Sequence, residues 1–185
     1  MTWAQADVVD VLLDQHRQVK TLLAEVREAS GDARRRAFDD LVRLLAVHEV
    51  AEEEVVHPVA RDAIDNGTAI VDDRLAEEDE AKHALAELHE MGVDHAEFDE
   101  RFARLAHSVT RHAEQEESRE FRVLRQRLGA AQLEGMRGAV KAAEDVAPTR
   151  PHPGIGESAP ANMLAGPPLA VFDRIRDAVR DWRNR

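Results

Sequence analysis

The chain has nine histidines, no cysteine and no tyrosine, so its chemistry falls to imidazole and carboxylate groups. Without thiols there are no disulfides, thiol nucleophiles, thiolate zinc sites or iron–sulfur clusters. Without tyrosine no phenolate can act as ligand or general acid. Two stretches pair the remaining groups at the same spacing: His48 with Glu52, and His112 with Glu116. On a helix, His-x-x-x-Glu puts both side chains on one face, a turn apart. Mixed imidazole and carboxylate donors suit iron, manganese or zinc. A zinc peptidase motif is not met, because His48-Glu49-Val50-Ala51-Glu52 lacks the second His of H-E-x-x-H. Neither a Gly-rich phosphate loop nor a nucleophile elbow is present.

The elements that must position these groups are helices. Turn signals at Ser30-Gly31-Asp32, Asp65-Asn66-Gly67 and Gly92-Val93-Asp94 separate four long segments rich in Ala, Leu, Glu and Arg. No alternating strand pattern of useful length occurs. The expected fold is all-α, an up-down-up-down antiparallel four-helix bundle. Apolar stripes recur every three or four residues, and each stripe is broken by metal-capable residues. Helix 1 reads Val9, Leu12, His16, Val19, Leu23, Val26. Helix 2 reads Phe38, Leu41, Leu45, His48, Glu52, Val55, Val59. Helix 3 reads Val71, Leu75, Glu78, Ala81, Leu85, Leu88. Helix 4 reads Phe98, Phe102, Leu105, Val109, His112, Glu116, then Val123.

In antiparallel hairpins, residues equidistant from the loop sit at one height. The midpoint of positions 16 and 48 is 32, that of 48 and 78 is 63, and that of 78 and 112 is 95, each at or beside a turn. His16, His48, Glu52, Glu78, His112 and Glu116 should therefore converge at one level. Bare carboxylates in a bundle core are costly unless paired or bound to a cation, and the stripes offer no Lys or Arg at that level. Six ligands on four helices suggest two ions bridged by carboxylates. A metal-free buried polar network is the competing reading of the same residues.

His16, the run HEVAEEEVVHPVA from His48 and the run HAEQEE from His112 resemble the hemerythrin-like HHE cation-binding domain over about residues 5–128. The later stretches APTRPHPG and APANMLAGPP, with a short Arg/Asp-rich helix after them, resemble the tail of actinobacterial members. The resemblance implies a non-haem di-iron centre. Its two iron ions would be oxo- or carboxylate-bridged, with His16, His48, Glu52, His112 and Glu116 as ligands and Glu52 and Glu116 bridging. It also implies oxygen binding or a part in oxidative stress. Helix 3 departs from the family, since AEEDEAKHALAEL puts Glu78 where relatives have His. His83 is the alternative ligand, about 140° round the helix from Glu78. Phe121-Arg122 replaces the family's Leu-Pro, so helix 4 is expected to run straighter. His57, before Pro58 where relatives often have an aromatic, lies off the α-helical stripe and is read as a surface or ligand-supporting residue. His89, His95 and His107 are expected to be solvated. So are the neighbours of Glu52 and Glu116 in the acidic runs.

Six of the seven prolines lie between 148 and 168, which divides the chain into a bundle at 1–145 and a Pro-rich segment with an amphipathic last helix at 146–185. That helix, 169–183, carries Leu169, Phe172, Ile175, Val179 and Trp182 on one face. It is expected to fold back on the bundle or to form a homodimer. With 25 basic and 37 acidic residues the net charge is −12. This argues against a nucleic-acid partner and against anionic membrane surfaces. No apolar run is long enough to span a membrane and no secretory signal is evident, so a cytoplasmic protein is expected. The expected partner is a small diatomic molecule or peroxide. Three functions follow: reversible binding of oxygen or nitric oxide; enzymatic reduction of peroxide or oxygen, or oxidation or storage of ferrous iron; and a metal-free interaction role. Glu78 in place of a neutral His raises the ligand charge from −2 to −3, which favours ferric iron and disfavours reversible oxygen binding.

Overall fold

The structure, a computed structural model, describes residues 6–146, with side chains as far as Lys141. The expectations for the Pro-rich segment, the last helix and its dimer lie outside the described residues. Among the described residues the chain is helical throughout, with no strand. Helix α1 spans Val8–Glu28 and starts at a capping box between Asp7 and Asp10. Helix α2 runs Gly31–Ala51, passes through a π-helical turn at Glu52–Val56 and continues as His57–Ala63. Helix α3 spans Gly67–Met91. Helix α4 runs Phe98–Glu116, passes through a second π turn at Glu117–Phe121 and continues as Arg122–Arg127. The three turn signals all fall at helix breaks. Asn66 takes the left-handed conformation at φ 60°. A Cβ on Gly67 would stand 2.5 Å from the Ala60 carbonyl oxygen, so only glycine lets α3 start so close to α2.

A fifth helix, α5 (Ala130–Val146), follows Gly129 and packs against α1 and α2. Leu133, Met136, Ala139 and Val140 are its buried face. The chain is thus a helical bundle with one helix more than the turn signals indicated. Gly129 was the available break, but it stands alone, without the flanking Asn, Asp or Ser of the other turns.

Two apolar clusters flank a polar layer. One joins Val19, Leu23, Phe38, Leu41, Leu45, Leu85, Phe98, Phe102 and neighbours. The other joins Val8, Leu12, Val56, Ala60, Val71, Phe121, Leu124 and the α5 face. His16 lies between Leu12 of one cluster and Val19 of the other, and α2, α3 and α4 make the same change of cluster at their polar residues. The apolar ends hold the backbone rigid where the polar side chains must meet. No helix among the described residues is long and apolar enough to cross a membrane.

Candidate metal centre

The π turns decide which residues face inward. An i→i+5 turn adds one residue, so the buried stripe moves on by one position beyond it. Past Glu52 the buried residues are Val56, His57 and Ala60, while Val55 and Val59, expected on the stripe, are half-buried. Past Glu116 they are Glu120, Phe121 and Leu124, with Val123 half-buried. Pro58 gives a reason for the first turn: its ring would meet the Glu54 carbonyl in an α-helix, and the wider turn removes that contact. The second turn forms without a proline, and it falls where the family's Leu-Pro is missing.

All six residues expected to converge do so. Ligand-type atoms of His16, His48, Glu52 and Glu116 lie within 4.8 Å of one another, and so do those of Glu52, Glu78, His112 and Glu116. Glu52 and Glu116 belong to both groups, and both are 0 % exposed. Glu116 turns Oε2 to His16 Nε2 at 3.3 Å and Oε1 to His112 Nε2 at 3.2 Å. His48 Nε2 lies 3.4 Å from Glu52 Oε2. His83, the alternative on helix 3, is exposed and turned to the Asp79 carbonyl oxygen.

Each histidine of the cluster is anchored through Nδ1, which leaves Nε2 for the centre. His16 Nδ1 pairs with Glu117 Oε1 at 3.0 Å, His48 Nδ1 with Gln15 Oε1 at 2.8 Å and His112 Nδ1 with Glu77 Oε2 at 2.9 Å. Such outer partners fix the tautomer and orientation of a ligating imidazole. With their Nδ1 protons so committed, His16 and His48 face each other across 3.0 Å between Nε2 atoms. Two bare nitrogens at that distance repel unless a proton or a cation lies between them. Both oxygens of Glu52, both of Glu116, Oε2 of Glu78 and Nε2 of His112 are buried without a hydrogen-bond partner. Buried polar atoms are normally satisfied, so the donor set fits a metal cation.

The electrostatics point the same way. Burial pushes the Glu52 carboxyl well above its usual range, and neighbouring Glu116 adds to this. Burial also raises Glu78, against the pull of His57. For Glu116 burial acts upward too, but the imidazoles of His112 and His16 hold it well below the ordinary value. Burial would lower His112, yet Glu116 and Glu77 lift it to about 10. Burial, helped by His16, presses His48 well down. Without a cation to balance the carboxylates, these shifts favour protons on Glu52, Glu78 and His112.

Several of these contacts were not legible in the sequence. Gln15, Glu77 and Glu117 were not singled out as anchors, and Glu117 is half-buried rather than fully solvated. His57 is 2 % exposed, brought inward by the first π turn, and its Nε2 meets Glu78 Oε1 at 2.7 Å. Glu120 is buried beside Arg74, and burial with Glu116 raises it to about 7. Arg74 and Lys82 correct the expectation that no cation lies near this level. Both are buried, a turn to either side of Glu78, but they pair with Glu77 and Glu120, and with Glu49 and Glu53. They leave Glu52, Glu78 and Glu116 to the cluster. His89, His95 and His107 are exposed as expected.

A helical bundle with a buried layer of imidazoles and carboxylates this closely spaced is an arrangement that could hold a metal ion. The chain belongs to the hemerythrin HHE cation-binding domain family, whose model matches residues 7–124. It is 23 % identical over 184 residues to a hemerythrin-like protein of Schizosaccharomyces pombe, covering 98 % of this chain and 91 % of the relative. It is also 29 % identical over 139 residues to a DNA nickase of Nostoc, covering 75 % of this chain but 39 % of that longer protein. No solved structure matches the chain.

Proposed function

We propose that the chain is a non-haem di-iron protein that binds or reacts with oxygen, peroxide or nitric oxide, its four site-bearing helices running up-down-up-down. One observation carries this reading: two ligand groups of four residues share the two buried carboxylates Glu52 and Glu116. His16 and His48 would complete one position, Glu78 and His112 the other. When bound, the iron pair supplies one-electron redox steps and a place for a small ligand. The protein's part is to hold and shield it. Val19, Leu45, Ala81, Val109 and Ala113 line a cavity of about 20 Å³ against His16, His48, Glu78 and His112, room for one small molecule. Apart from the cluster, most of its wall is apolar. Glu77, Gln15 and Glu117 fix the imidazoles.

The third carboxylate, Glu78, supports redox turnover over reversible oxygen carriage, because a hard anionic donor stabilises the ferric state. Ferrous-iron oxidation or storage draws support from Glu49, a further buried carboxylate that lines the same cavity beside Lys82. Metal analysis of the purified protein, with optical spectra before and after peroxide, tests the proposal. Iron near two per chain and a spectrum that changes with peroxide are expected. A folded protein that neither contains nor takes up metal would leave the metal-free interaction role.

A further inference from the structure

The pair of His57 and Glu78 is not required by the repeated His-x-x-x-Glu motif or by the shared carboxylates. Both residues are 2 % exposed, and their Nε2 and Oε1 atoms are 2.7 Å apart. On an uninterrupted α-helix His57, five residues past Glu52, would turn about 140° away from it. The π turn cancels this, because the His57 backbone N–H bonds to the Glu52 carbonyl oxygen and sets residue 57 directly over residue 52. The three imidazoles of the centre are each anchored through Nδ1. Glu78 is the ligand-type residue of α3, and among the described residues its one hydrogen-bond partner is His57. The His57 ring has no second bond, since its Nδ1 is buried without a hydrogen-bond partner.

We propose that His57 is the positioning residue for Glu78: its Nε2–H holds Oε1, so that Oε2 alone is presented to Glu52, His112 and Glu116. An unanchored carboxylate can rotate and offer either oxygen or both. An anchored one offers a single oxygen in a fixed place, much as an imidazole offers a single nitrogen. Oε2 of Glu78 is buried and without a hydrogen-bond partner, as this requires. His57 and Glu78 thus act together where relatives are expected to use one histidine. The inference rests on the reading of the centre as a two-ion site.

The test is anaerobic titration of the metal-free full chain with ferrous iron against a competing chelator, for wild type, His57→Phe, His57→Gln and the same His57→Phe change in a Glu78→His background. Loss of an outer partner typically weakens metal binding about 10–100-fold. His57→Phe should weaken one of the two binding steps by about that factor and leave the other within about threefold. His57→Gln, which keeps an N–H near the place of Nε2, should restore most of the loss. In the Glu78→His background there is no carboxylate to hold, so His57→Phe should change neither step. Unchanged affinities in His57→Phe, with wild type binding two ions, overturn the positioning role and leave the di-iron reading intact. An equal loss in both backgrounds shows a merely structural role and overturns it too. A wild type that binds no second ion overturns both.

Discussion

Replacing Glu52 with Gln should move stability in opposite directions with and without metal. Glu52 is 0 % exposed and neither oxygen has a hydrogen-bond partner. A buried unsatisfied polar group costs about 1–3 kcal/mol, more when charged. Burial and the nearby Glu116 raise its carboxyl well above the usual range, so folding at neutral pH must protonate it or bear the charge. Gln is the neutral isostere, and its amide can donate to Glu116. The metal-free variant should therefore be more stable than metal-free wild type by about 1–3 kcal/mol. At about 2–4 °C per kcal/mol for a chain of this size, Tm should rise by several degrees. The sign with pH follows from the raised pKa. The variant's advantage is present at neutral pH and disappears as pH falls through the unfolded carboxyl value of about 4.3, where both states of wild type hold the proton. With metal the order should reverse. An ion at 100 times its Kd stabilises the fold by about 2.7 kcal/mol, and Gln removes an anionic ligand shared by both positions. Calorimetry with and without chelator reads all four cases. A Glu52→Gln protein that is less stable than wild type without metal, or equally sensitive to chelator, would refute the reasoning.

Glu78→His should keep two ions bound and raise the iron potential, whereas Glu78→Ala should lose an ion and His83→Ala should change neither content nor spectrum; redox titration and metal analysis check this. Metal affinity should increase with pH and binding should release protons, because without metal His112 titrates at about 10 and Glu52 and Glu78 are raised, so a cation must displace protons at pH 7; a dye-indicator titration with no proton release contradicts it. Ending the chain after Val146 should leave a folded, metal-loaded bundle, since all six ligand-type residues lie before residue 117; loss of metal on truncation would show that the later residues close the centre.

The centre was legible because two periodicities agree. Stripe spacing put His16, His48, Glu78 and Glu116 among apolar neighbours, and equal distances from the turns put them at one level. Both follow from α-helical geometry and short connections. What was hidden came from departures from that geometry. The extra residue in each π turn moved Val56, Ala60 and Leu124 into the core in place of Val55, Val59 and Val123. It also turned His57 inward, which a regular 100° per residue places outside. Gln15, Glu77 and Glu117 were hidden for another reason. Each stands next in sequence to a ligand-type residue of its own helix but serves a histidine on a neighbouring helix, a relation that intra-helix spacing does not encode. Helix α5 was folded into the bundle segment because Gly129 gives a weak break between two stretches of good helix formers.

The most direct measurement is the number of ions the metal-free chain takes up. Titration with ferrous iron or cobalt(II), followed optically and by calorimetry, should break at two equivalents per chain. His48→Ala and His112→Ala should each lower that number, and full chelation should lower Tm. A single equivalent, or none with Tm unchanged by chelation, would contradict the shared-carboxylate centre.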